Sequence, residues 1–374
     1  MLITLDTPAL LVDSDRLFEN VRRMQERAAE AGVALRPHVK THKCHQIGRL
    51  QMASGAVGIT ASKPDEAISF MENGFRSVTI AYPVVSRTKL ARLFDAAERH
   101  GVDIRMIVDS ETGVEAVIAV SRRRTLKIDL FAKIDVGLHR CGLAPDDHRL
   151  LPLVRMILAE PTLRFAGLLS HAGQSYGAAG REAILAIVAS EMETLGRAAA
   201  SLRKEGIDVE EISIGATPTI LASGSYGDAT EIRPGNYVFL DRTQLALGVA
   251  TRDEVALTVL ATVISANADY LVIDAGSKTL SSDLGPHGLS TLAGYGIAHA
   301  VDEYESAINP MLIERLSEEH GLVRHGGAPL PIGSQLRIIP NHACTAANLA
   351  DRYTVVRGDD IVEEWRVDAR AKVR

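Results

Sequence analysis

Cysteine is scarce in this chain. Its three copies, Cys44, Cys141 and Cys344, are odd in number and scattered, with no C-x-x-C pair. That excludes a disulfide framework and leaves free thiols or metal ligands. An excess of basic residues is also lacking. The formal net charge is -6, which withdraws the electrostatic support that nucleic-acid binding needs and points to a small-molecule partner. No apolar run approaches the length that crosses a bilayer, and the opening Met1-Leu2-Ile3-Thr4-Leu5-Asp6 has neither the basic nor the apolar region of a signal peptide. A soluble, cytoplasmic protein without membrane contact is therefore expected. No internal repeat or low-complexity linker is visible.

What is present is ordinary globular composition, 46% hydrophobic and 24% charged over 374 residues, enough for one large domain plus a smaller one. A helical pattern runs from about Asp15 to Glu30, with Asp13 or Ser14 as cap, Gly32 as stop and Leu17, Val21 and Met24 on one face. Short apolar strands are expected at 33–40, 56–60, 77–81, 103–108, 127–134, 165–169, 210–214 and 230–233. Amphipathic segments such as Pro64 to Asn73, Arg87 to His100, Glu111 to Val120 and Gly180 to Lys204 separate them. This α/β rhythm predicts a closed parallel (β/α)8 barrel of the TIM type, with a doubly wound open sheet as second choice. Beyond about residue 250 the sequence becomes strand-rich, at 255–265, 270–273, 335–340, 353–357 and 361–367. Residues 14–248 are thus expected to form the barrel, and 249–374 a C-terminal β domain completed by 1–13. Gly321 to Gly333, with Gly326-Gly327 inside, reads as an exposed hairpin or loop.

Chemistry is concentrated in a few places. On a strand alternate side chains share a face, which puts Arg36, His38, Lys40 and His42 on one ledge. Like charges on a partly dry ledge lower a lysine's pKa and make its amine a nucleophile toward carbonyls; a solvated basic edge is the alternative. In a parallel barrel the reactive face lies at the C-terminal strand ends, and phosphates sit on the loops after strands seven and eight. Those loops here are Ser213-Ile214-Gly215-Ala216-Thr217-Pro218-Thr219, where small residues admit an anion and Thr217 adds a hydroxyl, and Arg233-Pro234-Gly235-Asn236-Tyr237. Either alone is an ordinary turn. Together, opposite Lys40, they suggest pyridoxal phosphate, whose aldehyde links to a lysine and whose ring takes up electrons.

Three segments carry a more specific likeness: Pro37-His38-Val39-Lys40-Thr41-His42-Lys43, Lys133-Ile134-Asp135-Val136-Gly137-Leu138-His139-Arg140-Cys141-Gly142, and Gly215-Ala216-Thr217-Pro218-Thr219. With them the chain resembles the alanine racemase-type (fold type III) pyridoxal phosphate enzymes and, within that class, the D-serine dehydratase and D-threonine aldolase family, closest to D-serine dehydratase. The likeness runs from Asp6-Thr7-Pro8-Ala9-Leu10 to the last strands. It implies that Lys40 is the Schiff-base lysine, that Thr217, Gly235 and Asn236 hold the phosphate, and that Tyr176 lies beside the cofactor. It also brings Arg140 to the ring phenolate, although Arg140 could equally pair with Asp135, and nearby His171 could simply cap the next helix.

Near the C-terminus, Asn341-His342-Ala343-Cys344 places His342 and Cys344 two apart, so that on an extended segment both face one way and could share a metal ion. By itself a buried histidine beside a small cysteine reads as packing. The resemblance implies a divalent metal on this pair, and thiolate plus imidazole favours zinc over magnesium or manganese. Cysteine, where the resembling aldolases typically carry aspartate, points to a dehydratase.

The expected reaction takes the α-proton of a D-3-hydroxy amino acid onto Lys40 and releases the β-hydroxyl at the metal, so that D-serine gives pyruvate and ammonia. Retro-aldol cleavage of D-threonine to glycine and acetaldehyde uses the same atoms and stays open. A racemase would need a tyrosine on the opposite face, such as Tyr295 or Tyr304. A small cofactor-binding regulatory barrel would need neither the second domain nor the metal pair. The resemblance further implies a homodimer. Ile273 to Lys278 and Asp302 to Glu305 read as surface of the β domain, and His38 and His42 as neighbours that either tune Lys40 or merely pack.

Overall fold

The computed structural model describes residues 4–288, 292–327 and 329–374. Met1 to Ile3 of the opening segment, and one position of the Gly321 to Gly333 stretch, lie outside them. Strand β1 (Ala9–Asp13) leads into the helix Ser14–Glu30, whose N-terminus Asp13 caps by accepting from Arg16 N at 3.0 Å. Leu17, Val21, Met24 and Ala28 of that helix are buried, the three-and-four spacing of one apolar face.

Eight strands follow, β2 (Ala34–Leu35), β3 (Ile59–Ala61), β4 (Ser77–Ile80), β5 (Asp103–Val108), β6 (Ile128–Lys133), β7 (Leu163–Leu169), β8 (Glu211–Ile214) and β9 (Glu231–Ile232). They pair in parallel in the order β2-β9-β8-β7-β6-β5-β4-β3. The two ends of this sheet meet where His38 bridges Thr60, with Val39 N donating to Thr60 O at 2.9 Å and Thr60 N to Pro37 O at 2.8 Å. The barrel is thereby closed, which removes the open-sheet alternative. Its helices Pro64–Glu72, Arg87–His100, Glu111–Ser121 and Arg181–Lys204 fall where the amphipathic periodicity puts them.

The strand leading to Lys40 is shorter than the sequence suggests. β2 stops at Leu35, Pro37 has no N–H to give the ladder, and Val39 to Lys43 form a turn closed by Lys43 N donating to Val39 O at 2.8 Å. The predicted ledge of alternating cations is accordingly absent. Arg36 turns to the opposite, N-terminal end of the barrel, where its Nε donates to Glu231 Oε2 at 2.6 Å. Arg105 Nη1 reaches the same oxygen at 2.9 Å, and its Nη2 pairs with Glu211. Lys43 pairs with buried Glu66 at 2.6 Å.

Paired buried charges are tolerated, but removing one partner strands the others in low dielectric. Glu231→Ala, which takes the carboxylate from buried Arg36 and leaves Arg105 with Glu211 alone, is expected to cost about 3–5 kcal/mol of stability. A fall in the denaturation midpoint at unchanged slope is the signature to look for.

The rest of the chain supplies β10 (Leu257–Ala266), β11 (Tyr270–Ile273), β12 (Gly296–Ala300), β13 (Met311–Leu316), β14 (Gly321–Arg324), β15 (Gln335–Pro340), β16 (Arg352–Arg357) and β17 (Asp360–Arg366). The sheet order is β11-β14-β13-β12-β15-β10-β1-β16-β17, and β11 also pairs with β10, so six strands close into a second, antiparallel barrel. β1 lies in this sheet between β10 and β16. The first part of the Gly321 to Gly333 stretch is no loop: β14 pairs on both sides, with β11 and β13. One hydrophobic core runs through both parts of the chain, and the ring of Phe239, just beyond β9, meets Tyr353 of β16 edge to face at 5.5 Å. No helix among the described residues is long and apolar enough to cross a membrane.

Candidate active site

The C-terminal strand ends of the (β/α)8 barrel and the loops beside β15 enclose a cavity of about 690 Å³. Lys40, Arg140, Tyr176, Thr217, Gly235, Asn236, His342 and Cys344 all line it. Their sequence separations are wide; the parallel topology brings the first six together, because every β-to-α loop opens on the same end, and the segment after β15 adds His342 and Cys344.

Lys40 sits half-buried on the turn after β2. Burial pulls its ammonium below the ordinary lysine value, and Arg140 and Arg233 add to this while Cys344 and Glu66 oppose it. The β domain braces the turn from behind: Tyr353 Oη donates to His42 O at 2.6 Å and Ala369 N to Lys43 O at 2.9 Å. The two neighbouring histidines separate cleanly. His42 is fully buried, bonded to Gln51 at 3.3 Å and to Cys44 N at 3.1 Å, and lies outside the cavity, whereas His38 lines it.

On the anion-binding side, Thr217 follows β8 and its Oγ1 is buried without a well-formed hydrogen bond. The Tyr176 phenol is raised by burial, and Thr217 beside it works the other way. Gly235 has to be glycine because the loop after β9 passes against the Lys40 turn: a Cβ there would stand 2.8 Å from Thr41 Oγ1 and 3.1 Å from His38 O. Asn236 spends its Nδ2 on buried Asp241 Oδ2 at 2.6 Å, so an anion would meet its backbone N–H and not its side chain. Asp241 also accepts from Ala343 N at 2.9 Å, tying this loop to the one that carries His342. A buried hydroxyl without a well-formed hydrogen bond, with Lys40, Arg140 and Arg233 around the same space and, among the described residues, no carboxylate lining it, fits a phosphorylated cofactor.

The His342–Cys344 arrangement differs from the expected one. His342 is the N-cap of the helix Ala343–Leu349 that follows β15, so the pair meets across the first turn of a helix and not along a strand. Against the cost of burial, the facing Cys344 thiolate and the Asp283 carboxylate push the His342 imidazole up to about 10, and the Cys344 thiol is pulled below its usual value by that imidazole. His342 Nδ1 is 2.7 Å from Asp283 Oδ2, and Cys344 Sγ is 3.3 Å from Thr41 Oγ1 on the Lys40 turn. An imidazole oriented through its far nitrogen by a carboxylate, beside a thiol whose proton is more easily lost than usual, is a donor set that suits a thiophilic divalent ion. Among the described residues no third histidine, cysteine or carboxylate completes a three-ligand cluster. An ion on this pair would therefore keep positions for water and substrate.

Several lining groups were not singled out by motif. Arg233, inside the flagged loop, anchors Nη1 on Ser213 Oγ and Nη2 on Ser170 O, both at 2.5 Å, and presents its cation to the cavity floor. Lys133, at the end of β6, is lowered by burial to about 8. His171 caps no helix: its Nδ1 donates to Gly215 O at 2.5 Å and its Nε2 lies 3.4 Å from His287 Nε2. Arg140 does not pair with Asp135, which is taken by His139 at 2.9 Å. Tyr304 is no surface residue; it is buried between Arg252 and Arg337, each 4.2 Å from its ring. Lys278, by contrast, lies at the surface, paired with Glu318 and Glu319 at 2.8 Å each. Asp283 had no sequence signal, since its partner lies far along the chain.

Comparison with known proteins places this geometry. Residues 12–243 match the family profile of the alanine racemase N-terminal domain, and residues 256–356 that of a putative serine dehydratase domain. D-threo-3-hydroxyaspartate dehydratase of Delftia sp. strain HT23 is 37% identical over 97% of both chains. D-threonine aldolase of Arthrobacter sp. is 33% identical over 99% of this chain and 94% of its own, and D-serine dehydratase of Dictyostelium discoideum 31% identical over 95% and 94%. The solved Delftia dehydratase superposes with a TM-score of 0.89 at 35% identity, covering 98% of each chain, and a cysteine-to-alanine variant of that enzyme has been solved in a metal-free form. An alanine racemase of Clostridium difficile shares the fold alone, at 11% identity, TM-score 0.70 and coverage of 97% of this chain and 100% of its own. The chain belongs to the D-serine dehydratase and D-threonine aldolase-like family of alanine racemase-type pyridoxal phosphate lyases.

Proposed function

We propose that the protein is a pyridoxal phosphate- and zinc-dependent dehydratase of D-3-hydroxy amino acids such as D-serine, releasing a 2-keto acid and ammonia. The observation that carries this is the contact of Cys344 Sγ with Thr41 Oγ1 at 3.3 Å, which sets the His342–Cys344 pair directly against the turn bearing Lys40. A base for the α-proton and a binding point for the β-oxygen are thus side by side.

When bound, pyridoxal phosphate supplies an aldehyde that links to an amine and a ring that delocalises the charge left at the α-carbon. Lys40 would anchor the cofactor through its amine and, once freed by the substrate amine, is placed to take the α-proton on Nζ, with burial pulling its pKa down. Thr217 Oγ1 and the backbone around Gly235 and Asn236 would hold the phosphate, Arg140 and Tyr176 would lie beside the ring, and Arg233 lines the same cavity. His342 Nε2 and Cys344 Sγ would hold the ion, whose Lewis acidity would assist departure of the β-hydroxyl. Thiolate with imidazole favours zinc over magnesium or manganese. Elimination of water leaves an enamine, and its hydrolysis returns the water and frees the keto acid and ammonia.

Asp283 fixes His342 for this task by accepting from Nδ1 at 2.7 Å, which leaves Nε2 as the ligand nitrogen. Asp283→Asn is expected to weaken zinc binding about 10–100-fold, measured by competition with a chromogenic chelator. A second reading, retro-aldol cleavage, is favoured by the identity to the Arthrobacter aldolase. The racemase alternative has no such support, because neither Tyr295 nor Tyr304 lines the cavity. Product analysis of the cofactor-loaded protein separates the two lyase readings. Pyruvate and ammonia from D-serine in equal amounts are expected; glycine and acetaldehyde from D-threonine without keto acid from D-serine would make it an aldolase.

A further inference from the structure

The charge lining the cavity is one-sided. Lys40, Lys63, Lys133, Arg140 and Arg233 face it, and among the described residues no aspartate or glutamate does. Most of these cations are spoken for. Lys40 and Arg140 serve the cofactor in the function proposed above, Arg233 is held by Ser213 and Ser170, and Lys133 Nζ donates to Ile134 O at 3.2 Å. Lys63 is different: among the described residues its ammonium has no ion pair and no hydrogen bond, and it rests 3.7 Å from the centroid of the Tyr82 ring. The two acids nearest in sequence are spent elsewhere, Asp65 on Arg92 at 2.8 Å and Glu66 on Lys43 and on Ser62 N, both at 2.6 Å.

An aromatic face positions a cation without neutralising it. The backbone below is equally fixed, because Lys63 is the N-cap of the helix Pro64–Glu72, with Pro64 at its first position. The result is an ammonium group on a rigid shelf, in the wall formed by the loops after β3 and β4, with no carboxylate among the described residues paired to it. Every amino-acid substrate brings an α-carboxylate, and only one with a second carboxylate on its β-carbon brings a further anion to this wall. We propose that Lys63 is a specificity-determining residue that pairs with a carboxylate on the β-carbon, so that the preferred substrate is a 3-hydroxy dicarboxylic D-amino acid. The proposal rests on the function proposed above for the reaction, but not for the binding contact.

Lys63→Met, which keeps an apolar stem on Tyr82 and removes the charge, tests it, with Lys63→Arg as the charge-retaining control. The ratio of kcat/KM for D-threo-3-hydroxyaspartate over D-serine is expected to exceed one in the unsubstituted enzyme. It should fall roughly 30-fold in Lys63→Met, the size of one charge-assisted contact, and to recover in large part in Lys63→Arg. A ratio that does not change, because both substrates suffer alike or neither does, overturns the proposal. So does a difference that disappears at high salt, since that marks long-range steering and not contact. Calorimetric binding of the non-reacting pair D-malate and D-lactate to the cofactor-loaded protein supplies the second arm. If neither amino acid is turned over the dehydratase reading fails alone, and the inference still stands or falls on whether Lys63→Met selectively weakens D-malate.

Discussion

Lys40→Ala is expected to lower keto-acid formation from D-serine by roughly a thousandfold or more, the combined loss of a covalent anchor and a positioned base. The fold should survive, because the turn is held by backbone bonds and not by the Lys40 side chain: Lys43 N reaches Val39 O, Tyr353 Oη reaches His42 O, and His38 bridges Thr60. The visible absorbance of the lysine-linked cofactor should vanish, and borohydride should no longer fix the cofactor to the peptide containing residue 40. A variant that keeps that absorbance would move the anchoring role to another lysine, and Lys133, which lines the same cavity, would be the one to substitute next.

His342→Ala and Cys344→Ala are expected to act on a different step. Each should strip the bound metal and cut turnover by something on the order of 10²–10³-fold, while the absorbance of the cofactor on Lys40 stays. The argument is one of leaving groups: hydroxide departs poorly without a Lewis acid, whereas anchoring the cofactor needs none. Metal analysis of the purified variants beside their spectra checks both halves. Normal turnover in a metal-free Cys344→Ala would remove the ion from the reaction.

The barrel was legible because its signal is periodic. Apolar runs alternating with amphipathic ones fix strand and helix independently of any long-range contact, and boundaries such as Asp103–Val108 and Arg87–His100 fall as the pattern puts them. β12 and β13 were not legible, since Gly296–Ala300 carries a glycine and a histidine and Met311–Leu316 two charges, and their pairing comes from neighbours far along the chain. The reactive stretch shows both sides. Reading 33–40 as one strand, with its alternation carried on to His42, missed the effect of Pro37 and put Arg36 at the wrong end of the barrel, yet its lysine does line the cavity. The cations that depress Lys40 are Arg140 and Arg233, which only the closed barrel brings near. Asp283 and Lys63 sit in no motif. The first is recognisable by its bond to His342, the second by its place over the Tyr82 ring with no ion pair among the described residues.

The most direct measurement is pyruvate released from D-serine by the cofactor-loaded enzyme, before and after complete removal of metal with EDTA and again after zinc is added back. Pyruvate formation that is lost on chelation and restored by zinc, with L-serine inert throughout, is the predicted result. Undiminished pyruvate from fully metal-free protein would contradict the account.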